Sequence, residues 1–255
     1  MTEARVPNNP SGEYAEGAEG SKRVWINVDA GWRGETKSTD SVGGQLAVWM
    51  LGRVPYEHAL ALQEQLVARK LSGDATDYLL VLEHDPVFTL GRGASDNDLC
   101  GADRKLGIPA FRVGRGGGVT YHGPGQLVAY PIVRLRRPSV RAYVELLLDV
   151  VVEVCARFGV RAWADREQIG VWTERGKIAS VGVGIRRWVA FHGVALNVRN
   201  SLDPFQQIVV CRTPGLAVTS LALELQRAPE ISDVVPCFVE VFSVYWRKFM
   251  EARPK

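Results

Sequence analysis

A chain of 255 residues, 46% hydrophobic and 23% charged, has the make-up of a globular protein with one sizeable core. A formal net charge of +3 argues against a nucleic-acid module, which needs a dense basic stripe, and no apolar run approaches the roughly 18 residues of a membrane span. Cys100, Cys155, Cys211 and Cys237 form no C-x-x-C pair, so neither a disulfide framework nor a cysteine zinc site is expected, and a reducing cytoplasm is the expected compartment.

Residues 1–44 stand apart. Their opening stretch is acidic, Gly/Ala-rich and poor in large apolar residues, so it has the character of neither a secretory signal nor a transit peptide. A disordered or loosely ordered extension is expected there, followed by a single catalytic domain over 45–255. Leu46–Leu51 predicts a strand, and Pro55 opens a helix whose Ala59, Leu62, Leu66 and Val67 share one face, ended by Ser72-Gly73-Asp74. Tyr78–Leu82, Val87–Leu90, Phe111–Val113 and Val128–Val133 are short β-prone runs bounded by Asp, Pro and Gly.

Ser139 is placed to cap a second helix with Tyr143, Leu147, Val150, Val154 and Phe158 on one face and Gly159 as terminator; Cys155 belongs to it. Ile169–Trp172, Ile178–Ile185 and Val189–Val198 predict an antiparallel meander joined by turns at Glu174-Arg175-Gly176 and Arg186-Arg187. Thr219–Gln226 and Asp233–Met250 predict helices, the second with a core-facing stripe of Phe238, Val241, Phe242, Tyr245 and Phe249. The expected architecture is an α/β (α+β) domain: a mixed, largely antiparallel sheet with helices packed outside. Arg134, Arg136 and Arg137 make the densest cationic patch, either a solvated strand end or a docking surface for an acidic partner.

Three segments concentrate chemistry. In RVGRGGGVTYHGPGQLVAYPI, from Arg112 to Ile132, consecutive glycines let backbone pass close to a ligand, and a plain turn has no need of Arg115, Tyr121 and His122 together. In GKIASVGVGIRRWVAFHGVALNV, Lys177 starts a strand of small residues that leave room beside it. In VVCRTPGLAVTSL, Cys211 ends a β-branched run; such a thiol becomes reactive only when a base or cation lowers its ordinary pKa of about 8.5.

These segments, with LEHDPVFTLGR at Leu82–Arg92, closely resemble the lipoyl(octanoyl) transferase family of the biotin/lipoate protein ligase superfamily. The resemblance runs from about Leu46 to Leu221 and implies a biotin/lipoate protein ligase-like fold that uses no metal, nucleotide or prosthetic group. It implies octanoyl-acyl carrier protein as donor, and as acceptors the lipoyl domains of 2-oxoacid dehydrogenase complexes and the glycine cleavage H protein. Cys211 would be the acyl-accepting thiol and Lys177 the group that activates it. Around the acyl chain it would place Arg115, Gly116, Gly117, Gly118, Val119, Thr120, Tyr121 and His122, with Ser180, Val181 and Gly182 and with Gly193, Val194 and Ala195. His84 and His192 match family positions near that pocket. Two residues depart from the pattern: Arg212 stands where glycine is common, and Asp85 where proline is.

The chemistry that follows is exchange of a thioester for an amide, downhill without ATP and split by a covalent intermediate. Lys177 would take the Cys211 proton, return it to the leaving thiol, and then deprotonate the acceptor amine. A related ligase that activates a free acid with ATP would need a lysine and no acyl-cysteine; Cys211 and the YHGPGQ string weigh against it. A silent acyl-binding protein would need neither Cys211 nor Lys177.

Overall fold

The computed structural model describes residues 24–28, 32–41, 44–136, 138–210, 215–227 and 229–252, with side chains from Leu46 onward. In chain order the elements are β1 (Val24–Val28), β2 (Trp32–Ser41), β3 (Gly44–Val54), α1 (Tyr56–Leu71), β4 (Asp77–His84), β5 (Val87–Leu90), α2 (Ala102–Leu106), β6 (Ala110–Arg112), β7 (Val119–His122), β8 (Gln126–Arg134) and α3 (Val140–Arg157). They continue as β9 (Trp163–Asp165), β10 (Gly170–Thr173), β11 (Gly176–Arg186), β12 (Val189–Asn197), α4 (Leu221–Leu225) and α5 (Ile231–Glu251). Strands β1 and β2 fall within the stretch 1–44 that composition sets apart.

Among the described residues one nine-stranded sheet runs β1-β2-β3-β4-β8-β12-β11-β10-β9, and a three-stranded sheet runs β6-β5-β7. Within the large sheet only β3 and β4 are parallel, because α1 carries the chain back across the sheet between them. The remaining pairs are antiparallel, so the expected mixed, largely antiparallel architecture is the one observed.

Both faces of the central strands of the large sheet are covered, and the strand period of two divides the side chains between them. On β8, Leu127, Ala129 and Val133 face α3 and α5, where Tyr143, Leu147, Phe238 and Phe242 are fully buried. Val128, Tyr130 and Ile132 turn the other way, onto Ala59, Leu62 and Leu66 of α1. This two-sided burial is why β4 and β8 read as continuous apolar runs rather than alternating ones.

The local signals behave as the sequence predicts at several ends. The Ser139 hydroxyl accepts the Ala142 N–H at 3.2 Å, and Gly159, at φ +79°, stops α3. The β11–β12 turn sits one residue further on than expected, at Arg187 and Trp188, which both adopt positive φ (48° and 62°) as a right-twisted two-residue hairpin requires. The structure adds β7 inside the segment read as a glycine-rich loop, together with α2 and a 3-10 turn at Asp96–Leu99 where nothing was expected. Among the described residues no helix is long and apolar enough to cross a membrane.

Candidate active site

A cavity of about 470 Å³ lies where β11, β12, the Arg115–Gly118 loop and the start of α3 meet. Most of the residues singled out by sequence line it: Lys177; Arg115 to Thr120 and His122; Ser180, Val181 and Gly182; and His192 to Ala195. Cys211 and the Arg212 departure lie outside the described residues, but Val210, the residue before Cys211, lines the cavity and bridges to Val119 of β7.

Two of the expected residues sit elsewhere. Alternation along β7 sends Thr120 and His122 toward the cavity and Tyr121 to the opposite side, where its ring packs 5.7 Å from Phe88 and 5.6 Å from Phe205. His84 lies behind the wall. Its Nδ1–H donates to the Val54 carbonyl and its Nε2 accepts from the Tyr130 hydroxyl, both at 2.8 Å, so it positions a lining tyrosine; burial pushes its pKa down to about 4.

The inner wall is polar by composition yet quiet by hydrogen bonding. The Gln126 amide donates to Tyr121 O and Asn197 Oδ1, which leaves Gln126 Oε1 to accept from His122 Nδ1–H at 2.8 Å. His122 Nε2 is then the acceptor for the Thr89 hydroxyl at 3.2 Å, a neutral tautomer consistent with the strong downward pKa shift that burial above all, and then the neighbouring His84 and Arg115, impose. Thr89 also receives the buried Arg115 guanidinium through Oγ1 (2.8 Å) and its carbonyl (2.7 Å). Gly182 makes room for that arginine, because a Cβ there would fall 3.0 Å from Arg115 Cδ and from Gly116 O.

His192 interrupts β12 with φ +56°, and its N–H leaves the sheet to bond Gln63 Oε1 of α1 at 2.8 Å. The break in alternation lets consecutive residues 192–195 all reach the cavity. Burial lowers the imidazole pKa to about 3, so it is neutral. Among the described residues His192 Nε2 and Thr120 Oγ1 have no protein partner.

Lys177 is 3% exposed. Its backbone is clamped by Ala217 O (2.9 Å from Lys177 N) and by the Thr219 N–H (3.0 Å from Lys177 O), so the chain just after residues 211–214 is tied to β11. Its ammonium donates to Ile169 O at 2.9 Å and lies 5.5 Å from the Trp172 ring centre. The stem crosses Gly170, the register partner of Ser180, where a Cβ would lie 2.8 Å from Nζ. A buried lysine thus stands in a wall rich in valines and glycines, an arrangement that can hold an apolar chain and act on a polar group at one end of it.

Comparisons with known proteins give the family and the fold. Residues 55–243 match the family model of the lipoyl protein ligase A/B catalytic domain. Curated proteins named octanoyltransferase include one from Geobacter metallireducens, 44% identical over 186 residues (72% of this chain, 85% of that protein), and one from Solibacter usitatus, 48% identical over 179 residues (68% and 80%). The chain belongs to the octanoyltransferase family. Solved structures at lower identity share the fold: a Thermoplasma acidophilum structure of a bi-partite lipoate protein ligase and its E2 lipoyl domain (TM-score 0.64, 18% identity, 80% of this chain and 84% of that one), and a lipoate-protein ligase A bound with ATP (0.64, 19%, 80% and 86%).

Within this octanoyltransferase family member, the cysteines that are described offer poor nucleophiles or none near the cavity. Burial pushes the Cys155 thiol up to about 12 and also raises Cys237, and Cys100 is exposed on a left-handed turn whose Sγ approaches Asn97 O. Sequence reasoning missed Tyr56, Arg92, Gly93, Tyr130, Val140, Val144, Val183, Val210 and the Glu167-Gln168-Ile169 turn as lining residues. Tyr130 lay within a segment already singled out, whereas nothing local marks a turn between β9 and β10 as the cover over Lys177.

Proposed function

We propose that this enzyme transfers an octanoyl group from octanoyl-acyl carrier protein to a lysine amine of lipoyl domains, those of 2-oxoacid dehydrogenase complexes and the glycine cleavage H protein, through an acyl-Cys211 intermediate and without ATP. The observation that carries this reading is the buried Lys177 ammonium in an apolar cavity whose wall also contains Val210, the chain neighbour of Cys211. In the first half-reaction Lys177, as the neutral amine, accepts the Cys211 proton, the thiolate attacks the thioester carbonyl, and the ammonium so formed protonates the departing pantetheine thiolate. In the second, neutral Lys177 takes a proton from the acceptor amine as it attacks acyl-Cys211, whose thiol is released. The valine-rich wall supports the acyl chain, and Arg115, Thr120 and the Gly116–Gly118 backbone supply polar groups beside it.

The test is incubation with octanoyl-acyl carrier protein, without ATP or acceptor, followed by intact mass and peptide mapping. One octanoyl adduct on Cys211, removed by hydroxylamine, is expected. An adduct on Cys100, Cys155 or Cys237, or an active enzyme with no adduct, overturns the assignment.

A further inference from the structure

An aromatic ring stands beside the Lys177 amine, and the sheet is built to put it there. Gly170 and Trp172, two residues apart on β10, share the face that the Lys177 stem crosses, and Trp172 is the register partner of Lys177 itself. That pairing needs a bulge. The register shifts between Val171, opposite Ala179, and Trp172, opposite Lys177, so Ile178 is the extra residue, and it is buried in the core. In an unbroken ladder Trp172 would stand opposite Ile178 instead. Bulges concentrate beside active sites, where they re-aim a side chain.

Trp172 makes two contacts of different kinds. Its ring centre lies 5.5 Å from Lys177 Nζ, inside the roughly 6 Å over which a ring face attracts a cation. Its indole N–H donates to Gln168 O at 3.3 Å, and the next carbonyl, Ile169 O, accepts from Nζ at 2.9 Å. One side chain thus holds both the amine and the turn over it. The two contacts also differ in their response to charge. A carbonyl accepts an N–H from the neutral amine as well as from the ammonium, so Ile169 O marks where Nζ sits in either state. A ring face attracts the ammonium. Lys177 is buried, so water does little to solvate a charge there, and the ring supplies part of what burial removes.

We propose that Trp172 is a positioning residue for octanoyl transfer: its ring face stabilises the Lys177 ammonium as it forms, and its indole N–H holds the turn that fixes Nζ. The inference rests on the functional reading above, in which Lys177 gains a proton twice, from the Cys211 thiol during acylation and from the acceptor amine during transfer. Each proton arriving on Nζ sets a growing charge against the ring, so the contact strengthens on the way to the transition state. Its loss therefore slows both half-reactions and leaves the binding of donor and acceptor as it was.

The experiment uses the full chain and its Trp172→Phe and Trp172→Leu variants, with octanoyl-acyl carrier protein as donor and a lipoyl domain as acceptor. It reads single-turnover rates of acylation and of transfer, KM for each substrate, and the melting temperature. Trp172→Leu keeps apolar bulk without a ring and should slow both steps by about five- to thirtyfold with both KM values unchanged. Trp172→Phe keeps a weaker ring face, loses the N–H, and should fall between. A second measurement holds even if a variant folds badly: the unmutated chain made with fluorinated tryptophan at its seven tryptophans nearly keeps its shape, while electron withdrawal weakens each ring face. It should lose a fewfold in both steps, and the same labelling should leave the rates of Trp172→Phe as they were. Wild-type rates in Trp172→Leu overturn the proposal, as do unaltered rates in the fluorinated chain or losses that appear in KM alone. A wild-type chain that takes up no octanoyl group overturns the functional reading instead.

Discussion

Replacing Gly170 by alanine tests whether the position of the Lys177 ammonium matters for transfer. The new Cβ would lie 2.8 Å from Lys177 Nζ and 2.8 Å from the Ala179 carbonyl oxygen, and closer still to Lys177 Cε. Ordinary non-bonded separations are about 3.5–4.0 Å, so something must yield by roughly 1 Å. The Ala179 oxygen is held in β11, which leaves the lysine stem to move. A misplacement of about 1 Å in a reacting group costs on the order of 10² in rate, or about 2.7 kcal/mol of transition-state stabilisation. Overpacking adds about 1–3 kcal/mol of destabilisation, a fall of several degrees in melting temperature for a chain of this size. The assay is single-turnover octanoyl transfer to a lipoyl domain beside a thermal melt. Gly114→Ala, where a Cβ meets nothing within 4 Å, is the control and should match wild type in both. A Gly170→Ala enzyme that transfers at the wild-type rate would refute the claim that this lysine must sit where it does.

Lys177→Ala should lose both half-reactions by about 10² to 10⁴, whereas Lys177→Arg should still form some acyl-Cys211 yet fail to pass it on, since arginine keeps its proton; near wild-type transfer by the arginine variant, in single-turnover kinetics, would make Lys177 a charge rather than a base. The buried histidines predict acid sensitivity. Burial holds His84 near 4 and His192 near 3 and lowers His122 well below its ordinary value, while the unfolded imidazoles titrate near 6.5. Between those values the unfolded chain binds the additional protons, so stability is present above about pH 6.5 and is lost as the pH falls toward 4. Asp77, whose carboxyl burial raises, pulls the opposite way as a single group. Melting temperature should fall steeply over that window and less steeply in His192→Asn; a flat profile would remove the assignment of neutral buried imidazoles.

What the sequence determined by itself is what near neighbours along the chain decide. Ser139 before α3, Gly159 after it, the strand runs, and the glycine-rich, lysine and cysteine segments all act through a few consecutive residues, and family resemblance ordered them into one catalytic chain. Tertiary structure alone decided which side of each element faces the cavity. Continuous apolar runs on β4 and β8 serve two cores and carry no periodicity that names a face, and the turn of Tyr121 away from its neighbours follows from its pairing with β5. The neutral tautomer of His122 depends on Gln126 of its own segment and on Thr89 and Asn197, brought in from two other stretches of chain, and the left-handed His192 depends on Gln63 of α1. The meeting of β8, β12 and β11 along the cavity wall is likewise a matter of strand order, which is set by burial and register between segments far apart in sequence and so leaves no local trace.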